Sequence, residues 1–144
     1  MRARLRILAA TSALVLTAGC SKPAAPLPPS PPVITITMRE YHFDYPKDIP
    51  RGRVVFRVVN AGHVMHKLTM APLHKDYPPV AEQLKGMQRR SISTVAATAA
   101  EPPGATTTFA VDMGPQRYGI FCLIIEPNGK DHARSGMASE FRVA

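Results

Sequence analysis

The sequence predicts an all-β chain folded as an antiparallel β-sandwich, with one short helix in a segment between strands. Three observations lead there. Short runs rich in β-branched and aromatic residues recur along the chain. Clusters of Pro, Gly and Asn punctuate them. A single segment keeps a helical period. With 144 residues, the chain is long enough for one domain with its own core.

The first element is not part of that domain. Residues 1–19 have the form of an export signal: Arg2, Arg4 and Arg6 precede an apolar run from Ile7 to Thr17 that is too short to span a bilayer. The segment closes on Leu16-Thr17-Ala18-Gly19-Cys20, which resembles the bacterial lipobox. That resemblance implies cleavage before Cys20 and lipid on its sulfur. Ser21, rather than Asp, follows the cysteine, and in a Gram-negative cell this resembles the pattern sent on to the outer membrane. Residues 20–32 continue as SKPAAPLPPSPP after Cys20, with six prolines in twelve residues. Such a run is expected to be an extended, polyproline-like tether of roughly 35–40 Å.

The expected folded domain is 33–144. VITITMR (Val33–Arg39) alternates and is β-branched. RVVFRVVN (Arg53–Asn60) is nearly continuous apolar, as for a strand shielded on both faces. TTTFAVDM (Thr106–Met113) puts Phe109, Val111 and Met113 on one face. RYGIFCLII (Arg117–Ile125) is a further strand, with Tyr118, Ile120 and Cys122 sharing a face, and SEFRV (Ser139–Val143) closes the chain. Turns are expected at Pro46, Pro50-Arg51-Gly52, Asn60-Ala61-Gly62, Pro102-Pro103-Gly104, Gly114-Pro115 and Pro127-Asn128-Gly129. In PVAEQLKGMQRR, Val80, Leu84 and Met87 recur at helical spacing, which predicts a helix over Pro79–Arg90 with those three packed inward. The Ser/Thr/Ala stretch from Ser91 to Ala100 reads as loop.

Charge narrows the function classes. The formal net charge is +8, of which Arg2, Arg4 and Arg6 leave with the signal, so the mature chain carries +5. The remaining basic residues are scattered, and no basic stripe interleaves with aromatics, so a nucleic-acid partner is not expected.

Cysteine use is more informative. The chain has two cysteines, Cys20 and Cys122. With Cys20 lipidated, Cys122 is a lone thiol in an exported, oxidising setting, and it calls for an explanation. Taken alone it reads as a small buried hydrophobe. Taken alone, His132 reads as a surface histidine and Met137 as a core residue opening the last strand. Together the three offer thiolate, imidazole and thioether donors within sixteen residues. A second imidazole is available from NAGHVMHKL, where His66 can point inward from a neighbouring strand. His63 lies in the turn and reads as solvated; His42 and His74 read as structural or surface residues. Two imidazoles, a thiolate and a thioether are a poor match for structural zinc. They suit copper, since sulfur donors favour Cu(I) and imidazoles support Cu(II). Metal binding would also protect the lone thiol from oxidation.

These residues resemble the cupredoxins, the plastocyanin/azurin family of type 1 blue copper proteins. RGRVVFRVVNAGHVMHKLTM is similar to the family's strand, Asn-x-Gly turn and histidine ligand, here Asn60, Gly62 and His66. PPGATTTFAVDMGPQRYGIFC is similar to its Pro-Gly turn, strand and Tyr-x-x-x-Cys, here Tyr118 and Cys122. HARSGM matches His-x-x-x-Gly-Met, with His132 and Met137. The resemblance implies a Greek-key β-sandwich and one copper ion held by His66, Cys122 and His132, with Met137 axial. Asn60 would fix the ligand loops, and His132 would reach the surface as the electron port. Together with the lipobox, it implies a non-enzymatic, monomeric, membrane-anchored periplasmic carrier of single electrons between redox proteins. A copper chaperone or buffer in the envelope and a metal-free binding module of the same fold are the alternatives. One departure stands out: nine residues separate Cys122 from His132, more than the small carriers of the family use.

Overall fold

A computed structural model describes residues 28–86, 90 and 93–144. The signal, Cys20 and most of the tether lie outside those residues, as does Met87 of the expected helix. Eight strands are described: β1 (Val33–Arg39), β2 (His42–Asp44), β3 (Gly52–Asn60), β4 (Thr69–Leu73), β5 (Ala96–Ala97), β6 (Thr106–Met113), β7 (Arg117–Phe121) and β8 (Ala138–Arg142). A helix, α1 (Val80–Lys85), lies between β4 and β5.

The strands form two four-stranded sheets, ordered β2-β1-β3-β6 and β5-β4-β7-β8. The apolar run of β3 follows from its place: it is flanked by β1 and β6, and Val54, Phe56 and Val58 are fully buried. On β6 the inward residues are Thr107, Phe109, Val111 and Met113, as the alternation predicts, and Phe109 pairs directly with Phe56. Tyr118 and Ile120 of β7, with Cys122 just past its end, project into the core between the sheets, where Ile36, Met38, Phe56, Met70 and Phe141 meet them. Tyr118 stacks on Phe141 at 5.5 Å between ring centroids, and its hydroxyl accepts the Gly114 N–H.

Three features depart from the expectations. First, β1 and β3 pair in parallel, Val33 opposite Val55, although every other pairing is antiparallel. The β1–β2 hairpin and the Tyr45–Arg51 crossing return the chain to the end where β1 began. Second, the helix covers Val80–Lys85 rather than Pro79–Arg90, because Gly86 is fully extended and ends it. Its buried residues are Val80 and Gln83; Leu84 is half-buried. Third, β4 is a strand whose five residues are all buried, Pro72 among them, and β5 pairs with it inside the stretch read as loop. No helix of the described residues is long and apolar enough to cross a membrane.

α1 is tied to the second sheet through Glu140 on β8. Its Oε2 accepts the Val80 N–H (2.9 Å) and pairs with Arg117 (3.1 Å). The loops that follow β1, β3 and β7 meet one another at one end of the sandwich.

Candidate metal centre

The strands deliver four segments to one end of the sandwich. Asn60 is the last residue of β3 and is fully buried. Its Nδ2 donates to the carbonyls of Val64 and Glu101 (2.8 Å each), and its Oδ1 accepts the Gly62 N–H (2.9 Å). One side chain therefore closes the loop that leads to His66 and joins it to Glu101. His66 and Glu101 form a one-residue antiparallel bridge, with the Glu101 N–H donating to the His66 carbonyl at 2.7 Å.

Cys122 lies one residue beyond β7. The nine residues after it do not widen the space between Cys122 and His132. Ile125 bridges Asp131, the Glu126 N–H donates to the Lys130 carbonyl (2.9 Å), and Gly129 sits at φ 82° in the turn. Residues 125–131 thus fold on themselves as a small hairpin. At its base, the His132 N–H reaches the Ile124 carbonyl and the Ala133 N–H reaches the Cys122 carbonyl, both at 2.9 Å. A tight turn follows: Met137 N–H donates to the His132 carbonyl (2.9 Å), and the Cys122 N–H donates to the Met137 carbonyl (3.0 Å). Gly136 in this turn has φ 117° and lies against the Tyr41 carbonyl, where a Cβ would stand 3.2 Å away. The backbones of Cys122, His132 and Met137 are thereby locked together.

The side chains converge. His66 Nδ1 and His132 Nδ1 are 3.2 Å apart, and Cys122 Sγ is 3.4 Å from His132 Nδ1. One donor atom of each residue lies within 4.8 Å of the others, and all three residues are buried. The Lys67 N–H donates to Cys122 Sγ at 3.3 Å. Met137 is fully buried in the same turn. Of the other histidines, the His63 side chain is 96 % exposed, and His42 and His74 are half-exposed beside Asp44 and Asp76. Met70 is core, whereas Met65 is exposed.

Burial sets the electrostatics. It pushes the Cys122 thiol up and the His66 imidazole down, so both favour the neutral form. Three lone-pair atoms facing one another in a dry interior repel unless a proton or a cation lies among them. Two imidazole nitrogens and a sulfur fit a borderline-soft transition metal, which would displace the thiol proton.

Three further residues surround the centre that the sequence reading did not find. Glu40, just after β1, accepts the backbone N–H groups of His63 and Val64, and its Oε1 lies 3.3 Å from His66 Nε2. Those contacts, the His63 N–H first, hold its carboxyl down at about 2. Glu126, on the hairpin, has Oε1 3.8 Å from His132 Nε2 and accepts a hydrogen bond from the Tyr41 hydroxyl. That bond lowers the Glu126 carboxyl and raises the Tyr41 phenol. The Tyr41 ring stands edge-on to His132 at 5.0 Å. His132 is therefore only 3 % exposed, in contrast to the open ligand that the resemblance implies. No local signal marks Glu40, which is 26 residues from His66.

Among solved structures the chain is similar to an auracyanin from the photosynthetic bacterium Roseiflexus castenholzii, at 21 % identity and TM-score 0.54, covering 80 % of this chain and 98 % of that one. It is also similar to auracyanin A of Chloroflexus aurantiacus, described as a "blue" copper protein (15 %, TM-score 0.53, 78 % and 99 %). Rusticyanin from Thiobacillus ferrooxidans is a third (19 %, TM-score 0.53, 78 % and 77 %). This chain has the cupredoxin fold. No family model matches the sequence, and no curated protein does. The cupredoxin fold accounts for the sandwich and for the end at which the ligand loops meet; the donor atoms themselves are read from this chain.

Proposed function

We propose that this chain binds one copper ion as a type 1 centre and carries single electrons between redox proteins. The observation that carries the reading is the convergence of one donor atom each from His66, Cys122 and His132 within 4.8 Å of one another, among buried residues held by backbone hydrogen bonds. His66, Cys122 and His132 would hold the ion, and Met137 would offer a weaker thioether donor. Copper in such a set supplies one-electron chemistry. The chain's own part is to keep the donors in one geometry through both oxidation states. The Asn60 bonds and the Cys122–Met137 ties do that. Burial of the sulfur excludes oxidants. The likeness in fold to copper proteins supports this reading.

Val64, Met65, Ile125 and Pro127 surround a hollow of about 420 Å³ that His132 also lines. This is the face where a redox partner would approach. We further propose export to the bacterial periplasm, cleavage before Cys20, and lipid anchoring through the Pro-rich tether, to the outer membrane in a Gram-negative host. Lipid on the cleaved chain is directly measurable by mass spectrometry.

The test of the copper reading is titration of the full chain with Cu(II). One equivalent should bind, with an intense visible thiolate-to-copper charge-transfer band, and Cys122→Ser should abolish the band. An intact chain that never develops it sinks the type 1 reading. Retention of copper through redox cycling against a moderate chelator separates a carrier from a chaperone, which would release the ion.

A further inference from the structure

Both imidazoles of the centre have an outer nitrogen, and each outer nitrogen faces a carboxylate. His66 Nε2 lies 3.3 Å from Glu40 Oε1, and His132 Nε2 lies 3.8 Å from Glu126 Oε1. Neither carboxylate is loosely placed. Glu40 is fastened by the N–H groups of His63 and Val64. Glu126 is held by the Tyr41 hydroxyl and by Asn128 Nδ2 at 3.0 Å. The two acids come from opposite directions. Glu40 follows β1, while Glu126 is carried by the hairpin that makes the Cys122–His132 segment long. His63 also faces Glu40, with Nδ1 3.7 Å from Oε2 and its side chain in solvent.

Resting on the copper reading, we propose that Glu40 and Glu126 are positioning residues of the metal centre, which orient the two imidazoles and hold the ion toward its oxidised state. An imidazole that places Nδ1 on a metal must keep its proton on Nε2. A carboxylate at Nε2 selects that tautomer, fixes the ring plane and makes the ring a stronger donor. Glu40 does this through a direct hydrogen bond. Glu126 does it through its charge, close to Nε2 in an environment where His132 is nearly dry. Stronger donation and nearby negative charge both favour the more highly charged ion, Cu(II) over Cu(I). The reduction potential is therefore lower than neutral hydrogen-bond partners would set. The added residues of the Cys122–His132 segment thus acquire a role: they fold back on themselves and bring a carboxylate to the second ring.

Gly62 supplies an independent handle. A Cβ built there would overlap the Glu40 carboxylate, the far end of a flexible side chain. Gly62→Ala should push Glu40 off His66 without changing any charge.

The experiment measures the reduction potential of the copper-loaded full chain and of four variants. Glu40→Gln and Glu126→Gln keep an acceptor oxygen and remove the charge. Each should shift the Cu(II)/Cu(I) preference toward Cu(I) by about tenfold, a rise of about 59 mV for one electron. Gly62→Ala should raise the potential in the same direction. Asp112→Asn, exposed and paired with Arg53 at the end of β3 away from Asn60, removes the same charge far from the centre and should leave the potential unchanged. In the metal-free chain, ¹⁵N NMR should find His66 protonated at Nε2, and that preference should weaken in Glu40→Gln and Gly62→Ala. Variants that keep the visible band and the wild-type potential would overturn the proposal, and so would a shift of equal size in Asp112→Asn. A wild-type chain with no band would defeat the copper reading instead. The metal-free His66 tautomer would then decide the Glu40 contact by itself, and an Nδ1-protonated ring would overturn it.

Discussion

Asn60→Ala is the substitution whose cost the structure specifies most fully. The wild-type side chain is completely buried and makes three hydrogen bonds of 2.8–2.9 Å, all to backbone groups of the ligand loops. A typical bond of this kind contributes about 1 kcal/mol net, and a buried partner left unpaired costs about 1–3 kcal/mol. The Glu101 carbonyl keeps its bond from the His66 N–H, so two groups, Val64 O and Gly62 N–H, lose the most. The expected loss is about 3 kcal/mol, or about a hundredfold in the folding equilibrium. For a domain of this size that is a fall of roughly 12 °C in melting temperature. Urea unfolding of the metal-free chain measures it without the ligand. Copper affinity should fall as well, because the loop that aims His66 is no longer pinned to Glu101. A loss below about 1 kcal/mol would refute the reasoning, since it would mean that water or a relaxed loop replaces all three bonds.

Other expectations follow from the same contacts. Met137→Leu should keep the visible band and raise the potential, because losing a thioether donor disfavours Cu(II); voltammetry reads this directly. Gly136→Ala places a side chain at φ 117° against the Tyr41 carbonyl and should destabilise the metal-free chain by about 1–3 kcal/mol, measured by urea unfolding. Phe56→Ala empties the centre of the core and should cost about 3–5 kcal/mol in unfolding free energy, leaving the band of any folded protein unchanged.

The reading of the sequence was strongest where the signal is local. Alternation in TTTFAVDM and RYGIF depends on neighbours two residues apart, and the burial of Phe109, Val111, Met113, Tyr118 and Ile120 follows it. It failed where pairing overrode local preference. Ala96 and Ala97 lie in a Ser/Thr/Ala stretch that reads as loop, yet they pair with β4 as β5. The helical period ran past Gly86, but an extended glycine ended the helix there.

The donor set was legible by itself. Thiol, imidazole and thioether groups are rare enough, in HARSGM and NAGHVMHKL, that their chemistry names a class of metal before any geometry is known. What the sequence determined is therefore the kind of site and the sandwich that frames it. The tertiary structure decided the rest. It folded the long Cys122–His132 segment into a hairpin that brings the candidate donors back together. It covered His132, and it set Glu40 and Glu126 against the two rings. Glu40 reaches His66 across 26 residues and Tyr41 reaches Glu126 across 85, and alternation and spacing carry no record of such distances.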